Sequence, residues 1–359
     1  MGSGVSEARK KGGRLSMNIT YYVQRYRPEF EAISQEVQLL ARHFEKQAEI
    51  KIHDLHWDGL TRFRFSPKEW SLHFAWYPLF FPRTFLLSKS SDLNHIYTSL
   101  GDTPYLPLLD LRRTLLTAAA SCQEEKVRKR LPWLRKLKKI VVESERQQQL
   151  LLRWGISPEK VVLISPGVEL GRFLFQKPPP PFTLLYASCP TREKDFSKRG
   201  MQLIAETAPS LPSLRWHLAW RGGGYLAAKK LLGHLSQIAL QNEIVADMNV
   251  VYGKAHATLI PYTQFDDYLK LVPNSALESL AAGKPLLVSS QTGIASLVRR
   301  EQCGVVFEPT PDSLGQAILL LQKKYGFYQK RCRAVAEKHF SQEIFLQKYQ
   351  KLYEEMQHD

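Results

Sequence analysis

Residues 270–290 read KLVPNSALESLAAGKPLLVSS and hold a turn, a short helix and a strand in direct succession. Pro273, Asn274 and Ser275 form the turn, and Asn274 or Ser275 is the expected N-cap of a helix over 276–282. The apolar residues that follow Gly283 predict a strand. A helix that leads into such a strand is typical of an α/β unit with a parallel sheet.

The same alternation extends outward from this stretch through the chain. Near the beginning, β-branched and aromatic residues over 18–24 predict a strand, and apolar residues at helical spacing over 29–45 predict a helix. Further strands are predicted at 115–118, 139–142, 161–164, 183–187, 215–220, 257–260 and 285–288. Residues 311–356 predict two closing helices. The chain is therefore expected to be an α/β protein.

The length of 359 residues favours two domains, because one hydrophobic core rarely grows so large. Four prolines at 178–181 favour an extended conformation, so we predict a linker over 176–182. A first domain then covers 17–175 and a second 183–340, and the helix over 341–359 is expected to pack back on the first domain. Residues 1–16 are polar and basic, which predicts a disordered leader instead of a signal peptide.

Composition excludes several classes of protein. A hydrophobic fraction of 44% with 23% charged residues indicates packed cores. The most apolar stretch, 70–87, is interrupted by His73, two prolines and Arg83, so it does not predict a transmembrane helix. The cysteines lie too far apart for a zinc site or a disulfide framework, which favours the reducing cytoplasm: Cys122, Cys189, Cys303 and Cys332.

Positive charge is concentrated in the first 180 residues, which hold most of the formal net charge of +16. Such a field attracts nucleic acid, anionic lipids and nucleotide diphosphates alike. Residues 126–139, KVRKRLPWLRKLKK, interleave basic and apolar side chains. This pattern predicts contact with the inner face of an anionic membrane. The alternative is a helix whose leucines pack into the core.

The helix predicted over 276–282 has an amino end that can bind an anion. Its free amide groups and positive dipole end form a site for phosphate oxygens. Glu278 lies four residues after Asn274, so both side chains face the same side of the helix. A carboxylate at this place can accept both hydroxyls of a ribose while a diphosphate occupies the helix start. The alternative is a capped helix whose Glu278 faces solvent.

Three segments, in the same order along the chain, resemble glycosyltransferase family 4. They are KIVVESERQQQLLLRWGISPEKVVLISPGVELGRF at 139–173, the strand, loop and helix at 186–205, and ESLAAGKPLLVSS at 278–290. The resemblance implies a GT-B fold, in which two Rossmann-like domains with parallel sheets face each other across a cleft. It also implies retaining transfer of a sugar from a nucleotide-diphosphate sugar to a glycan or lipid-linked acceptor, in surface polysaccharide or glycolipid synthesis.

The resemblance carries over several donor-binding roles. Lys198 matches the lysine that neutralises the donor diphosphate and stabilises the departing nucleotide. The usual arginine is displaced, so Arg192 or Arg199 supplies the second cation, and Arg192 is preferred. Gly223 lies in the turn that passes close to the nucleotide, whereas nothing here distinguishes UDP from GDP. The resemblance implies no bound metal and no permanent cofactor.

The sequence also departs from the family pattern. The first acid of a glutamate pair is replaced by Lys270, so Asp266, Asp267 or Lys270 itself is expected to contact the donor. In the acceptor domain, His95 is expected either to position the acceptor hydroxyl or to cap a strand. These departures keep a catalytically silent protein that binds a nucleotide sugar or a partner as the alternative. Specific nucleic-acid binding is not expected, because no recognition module is present.

Overall fold

The computed structural model describes residues 17–28, 31–55, 73–121, 123–187, 189–220, 222–265 and 269–358. Within these ranges the chain forms two sheets of six strands with helices packed around them, so the predicted pair of Rossmann-like α/β sheets is confirmed. The predicted leader over 1–16 and the candidate donor ligand Asp267, together with Asp266, lie outside the described residues.

The strands of the first sheet are β1 (Asn18–Val23), β2 (Glu49–Asp54), β3 (Leu93–Ser99), β4 (Thr114–Ala120), β5 (Lys139–Val142) and β6 (Val161–Leu163). Those of the second are β7 (Thr183–Tyr186), β8 (Arg215–Trp220), β9 (Ile238–Asn242), β10 (Ala257–Ile260), β11 (Leu286–Ser289) and β12 (Gly304–Phe307). The helices are α1 (Ala32–Phe44), α2 (His73–Ser90), α3 (Glu124–Leu134), α4 (Glu145–Arg153), α5 (Met201–Thr207), α6 (Tyr225–Leu232), α7 (Met248–Lys254), α8 (Asn274–Ala281), α9 (Ala295–Glu301), α10 (Pro311–Lys323), α11 (Tyr325–Phe340) and α12 (Gln342–His358).

Strand order is β2-β1-β3-β4-β5-β6 in the first sheet and β12-β11-β10-β7-β8-β9 in the second, and every pair is parallel. All strands of one sheet therefore end at the same edge, which is where open α/β sheets bind ligands. The chain passes between the sheets after Leu163, and the predicted linker lies in this connection. Val168 and Phe173 already pack in the core of the second sheet, ahead of that linker.

Some elements differ from the sequence prediction for identifiable reasons. Strand β2 is a half-buried edge strand, and β3 is buried throughout although it carries Asn94, His95 and Thr98. Strand β2 alternates only over 49–52, and β3 shows neither a continuous apolar run nor a clear alternation, so neither strand was predicted. Two closing helices were predicted and three are present, because α11 lacks a clear apolar stripe. Among the described helices, none combines the length and apolar character needed to cross a membrane.

The last helix, α12, packs on the first sheet through Phe345, Tyr349, Leu352 and Tyr353. Its tyrosines meet His95, which lies in the middle of β3 with no exposed surface. The ring Nδ1 of His95 is 2.6 Å from the Tyr353 hydroxyl, and Nε2 is 2.7 Å from the Thr117 hydroxyl. Burial lowers the pKa of His95 to about 3.

The position of His95 corrects its two predicted roles. Contact with an acceptor hydroxyl requires a ring that substrate can reach, and capping requires a place at a strand end. The imidazole has neither, because both its nitrogens already bond within the core and its residue is at the centre of β3. His95 therefore joins α12 to the first sheet.

This buried imidazole makes stability sensitive to acid. The unfolded chain binds a proton at His95 below about pH 6.5, whereas the folded protein binds it only near pH 3. The free energy of unfolding should therefore fall as pH falls, by about 2 kcal/mol between pH 7 and pH 5 from this residue. His95→Gln should lose that part of the pH dependence in urea denaturation at the two pH values.

The exposed His234 provides the matched control, and His234→Gln should keep the full pH dependence. An unchanged difference between pH 7 and pH 5 in His95→Gln would show that the ring is not held neutral in the core.

Candidate active site

The two halves of the chain meet at the carboxyl edges of their sheets. At the end of β4, Ala120 pairs with Lys270 in an antiparallel bridge. The next residue, Ser121, donates its N–H to the Leu269 carbonyl at 2.9 Å and accepts from the Leu269 N–H through its hydroxyl at 3.2 Å. In α4, the guanidinium of Arg146 lies 4.1 Å from the centre of the Phe265 ring. The segment that leads into α8 is thus anchored on the first sheet.

A buried ion cluster reinforces this junction. The ammonium nitrogen of Lys270 lies 2.6 and 2.8 Å from the two carboxylate oxygens of Glu143 and 2.6 Å from Oε1 of Glu36. Glu143 directly follows β5 and Glu36 lies in α1, where the Tyr97 hydroxyl also donates to it at 2.6 Å. Burial raises the pKa of the Glu143 carboxyl, Lys270 opposes that rise, and Glu36 adds to it. One cation therefore holds two carboxylates of the other half.

These contacts give Lys270 partners other than the predicted donor diphosphate. Burial disfavours its charge, but the two carboxylates outweigh this and raise the pKa of Lys270. Only 13% of its side chain is exposed. Glu143 and Glu36 were not among the predicted site residues, although the sequence around each contains an indication of its position. Glu143 follows a predicted strand directly, and Glu36 lies three residues after the apolar Ile33 in a predicted amphipathic helix.

In the second sheet, the loop after β7 carries the predicted cations. Asp195 joins two of them: its Oδ2 accepts from Arg192 Nε at 2.8 Å, and its Oδ1 lies 3.2 Å from Lys198 Nζ. Burial opposes ionisation of Asp195, but these two cations lower its pKa below the ordinary value. Lys198 is 16% exposed and Arg192 58% exposed. One carboxylate thus fixes two cations near the carboxyl end of β7.

Arg199, the other candidate for the second cation, is turned toward the next loop. Its guanidinium donates to the Tyr262 hydroxyl at 2.9 Å and lies 5.0 Å from the centre of that ring. Its carbonyl accepts a hydrogen bond from the Tyr186 hydroxyl at 2.9 Å. These contacts make Arg199 part of the support of the loop and leave Arg192 as the more exposed of the two.

The loop between β7 and α5, which carries Arg192 and Lys198, is called the cation loop below. It is held between the loops that follow β8 and β10. A side chain at Gly223 would bring its Cβ to 2.6 Å from the Thr191 carbonyl oxygen, and one at Gly224 to 2.6 Å from that of Pro190. On the other side, Gly200 adopts a φ of 76° and would place a Cβ 2.0 Å from the Pro261 carbonyl oxygen. The close approach that Gly223 permits is therefore to the cation loop itself.

Helix α8 begins two residues earlier than predicted, with Asn274 as its first residue and Pro273 as its N-cap. Neither Asn274 nor Ser275 is the N-cap, and no side chain caps the helix. Ser275 is buried, and Asn274 donates from Nδ2 to Gln35 Oε1 of the first half at 3.3 Å. The helix start therefore lies at the junction of the two halves.

Glu278 is half-buried and held by a buried tyrosine. The Tyr252 hydroxyl donates to Glu278 Oε2 at 2.9 Å and lies 3.3 Å from the Ser275 carbonyl oxygen. Burial raises the pKa of Tyr252, and the Glu278 charge adds to that rise. The alternative of a glutamate that simply faces solvent is wrong, because the hydrogen bond fixes one oxygen of its carboxylate.

The junction cluster makes a direct prediction about Lys270. Lys270→Met should lower the free energy of unfolding by about 3–5 kcal/mol at pH 7, because Glu143 and Glu36 then lose their buried cation. The loss should shrink at pH 5, because the Glu143 carboxyl, whose pKa burial raises, can take up a proton there. It should also shrink in the double variant Lys270→Met, Glu143→Gln. Urea denaturation measures each value.

A surface lysine provides the comparison. Lys338 is 64% exposed and pairs with Glu301, so Lys338→Met should cost less than about 1 kcal/mol. Equal losses for Lys270→Met and Lys338→Met would contradict the assignment of a buried, balanced cluster.

One comparison with known proteins finds a family similarity in the second half of the chain. Residues 190–324 match the family described as Glycosyl transferases group 1, and this range includes Lys198 and Glu278. Among curated proteins, none matches the chain in sequence.

Solved structures share the fold over almost the whole chain. A glycosyltransferase from Rickettsia africae superposes with a TM-score of 0.71 at 15% identity, covering 94% of this chain and 98% of its own. Sucrose-phosphate synthase from Thermosynechococcus elongatus gives 0.73 at 16% identity, covering 94% and 99%. HepE of Anabaena, in complex with UDP and glucose, gives 0.71 at 14% identity with the same coverage. The chain thus has the predicted GT-B fold, and its residues 190–324 match the glycosyltransferase group 1 model.

Proposed function

We propose that this protein is a retaining glycosyltransferase of family 4. It transfers a sugar from a nucleotide-diphosphate sugar to a glycan or lipid-linked acceptor in the synthesis of surface polysaccharide or glycolipid. The observation that carries the proposal is the cation loop at the carboxyl edge of the second sheet, inside the matched domain. Similar folds include HepE in complex with UDP-glucose and WaaG, a glycosyltransferase of lipopolysaccharide biosynthesis, which superposes with a TM-score of 0.61 at 16% identity.

In this proposal the domain over 183–340 holds the donor. Lys198 and Arg192 neutralise the diphosphate, and the free amides at the start of α8, with Asn274 and Ser275, accept its oxygens. The carboxylate of Glu278, which the Tyr252 hydroxyl holds in place, accepts hydrogen bonds from the ribose hydroxyls. Asp267 stays the candidate for contact with the donor sugar, since the ammonium group of Lys270 is held by two glutamates.

Catalysis in this site is mainly electrostatic. The developing charge on the departing nucleotide lies beside Lys198 and Arg192, which Asp195 already holds in place, so little reorganisation accompanies bond breaking. These cations and the dipole of α8 serve in place of a metal ion. The acceptor binds to the domain over 17–175, and the junction at Lys270 brings the two domains together around the reacting atoms.

The basic segment over 126–139 supports a contact with an anionic membrane on its inner face, where a lipid-linked acceptor would arrive. Val127, Leu134 and Leu137 are buried in the core of the first half, so the apolar side of the segment does not insert into lipid. Its cations are the groups that face outward, among them Arg128, Lys129 and Lys136. The contact that we propose is therefore electrostatic.

The proposed reaction is tested by turnover of UDP- and GDP-sugars with membrane extract as the source of acceptor. One donor should yield a product whose anomeric configuration, read by proton NMR, equals that of the donor. Lys198→Ala should lower kcat at least a hundredfold, by analogy with the loss of one preorganised charge at other active sites. Lys194→Ala, an exposed lysine of the same loop, should change kcat less than about twofold.

Absence of turnover with every donor, together with intact nucleotide binding, would favour the catalytically silent protein. An inverted product would overturn retention while leaving the donor site in place.

The ribose contact of Glu278 is tested with paired nucleotides. Glu278→Gln should weaken UDP binding about 10- to 100-fold, because a hydrogen bond to a charged group contributes about 1.5–3 kcal/mol. The same variant should weaken binding of 2′-deoxy-UDP much less if the carboxylate accepts from the 2′-hydroxyl. Isothermal titration calorimetry gives the four dissociation constants, and equal losses for both nucleotides would place the ribose elsewhere.

A further inference from the structure

A cavity of about 790 Å³ lies at the edge of the first sheet where its strands begin. Its lining includes residues that directly precede five of the six strands, namely Met17, Asp92, Arg112 with Arg113, Lys136 to Lys138, and Lys160. Since the strands are parallel, this edge is opposite the one where Ser121 and Glu143 meet the second half. This cavity, the amino-edge pocket, is therefore separate from the candidate active site.

Charge in the amino-edge pocket is unbalanced. Among its described lining residues, Asp92 is the one carboxylate. Five cations line the pocket: Arg112, Arg113, Lys136, Lys138 and Lys160. Asp92 already accepts a hydrogen bond from the Asn18 N–H at 2.8 Å. In the described part of the chain, no carboxylate forms an ion pair with Arg112, Arg113 or Lys136. Because Arg112, Arg113 and Lys136 lack such a pair, their charges repel one another and attract an anion.

The base of the pocket is apolar, while its cations come from separate loops. Met17, Leu93 and Leu137 are buried at its floor. The Lys160 ammonium donates to the Arg135 carbonyl at 2.7 Å, and that of Lys136 lies 4.7 Å from the Trp133 ring, so both side chains have a defined position. A cavity of this volume is larger than a single phosphate ion needs and falls in the range of small-molecule sites.

We propose that the amino-edge pocket binds a phosphate-bearing anion, either the headgroup of an anionic lipid or a free phosphate compound. Guanidinium groups bind phosphate through paired hydrogen bonds, and Arg112 and Arg113, the two residues before β4, each supply one such group to the lining. The lipid source would give the proposed membrane contact a defined binding site. Glycosyl transfer in the cleft is not required for the pocket to bind its ligand.

The test uses the full chain and three exposed cations of the pocket. The variant Arg112→Gln, Arg113→Gln, Lys136→Gln should weaken binding of inorganic pyrophosphate at least tenfold in calorimetry with saturating UDP present. A matched variant, Arg215→Gln, Lys229→Gln, Lys230→Gln, removes the same charge from exposed positions of the second half and should change it less than twofold. Equal thermal midpoints check that both variants fold.

Vesicles distinguish the two sources. If the ligand is a lipid headgroup, the wild type and the matched variant cosediment with phosphatidylglycerol vesicles and the pocket variant does not. Pocket-dependent pyrophosphate binding with equal sedimentation of both variants supports a free phosphate compound. Equal behaviour of both variants with both probes overturns the proposal. UDP binding is measured in parallel. If the wild type does not bind UDP, the proposed donor site is refuted and the proposed pocket is not.

Discussion

The contact of Lys270 with Glu143 and Glu36 is the interaction on which the arrangement of the two halves depends. Three charged groups from three separate segments meet where the surroundings exclude water, and each is stable there only while the others remain. The backbone bridge between Ala120 and Lys270 places the lysine in register for this contact. Helix α8 begins four residues after Lys270, so the cluster also determines the position of the amino end of α8.

The carboxyl and amino edges of the sheets use charge in opposite ways. At the carboxyl edges, Lys270 is paired with glutamates and Lys198 with Asp195, so the cations are held in a fixed geometry before any substrate binds. At the amino edge of the first sheet, Arg112 and Arg113 have no carboxylate partner among the described residues. Paired cations preserve the shape of a site, whereas gathered unpaired cations lower the free energy of a bound anion.

The C-terminal helix α12 connects the end of the chain with the first sheet. Tyr349 and Tyr353 from α12 share hydrogen bonds with Thr117 and His95 inside the first half. Polar groups in a core must find partners there, and this network satisfies them across more than 230 residues of sequence. The polar side chain of His95 in β3 thus finds a partner on a distant helix. Its local sequence does not specify that partner.

The sequence by itself determined the α/β class, the positions of most strands of both sheets, and the loop and helix that carry Lys198 and Glu278. The strands and the helix follow from local periodicity and turn residues, which act over a few positions of the chain, whereas the loop of Lys198 was predicted from the resemblance to glycosyltransferase family 4. Only the tertiary structure decided the partners of Lys270, the burial of His95 and the gathering of cations at the amino edge. Each of these joins residues that are far apart in sequence. Burial and pairing are properties of the folded neighbourhood, and no local pattern of side chains specifies that neighbourhood.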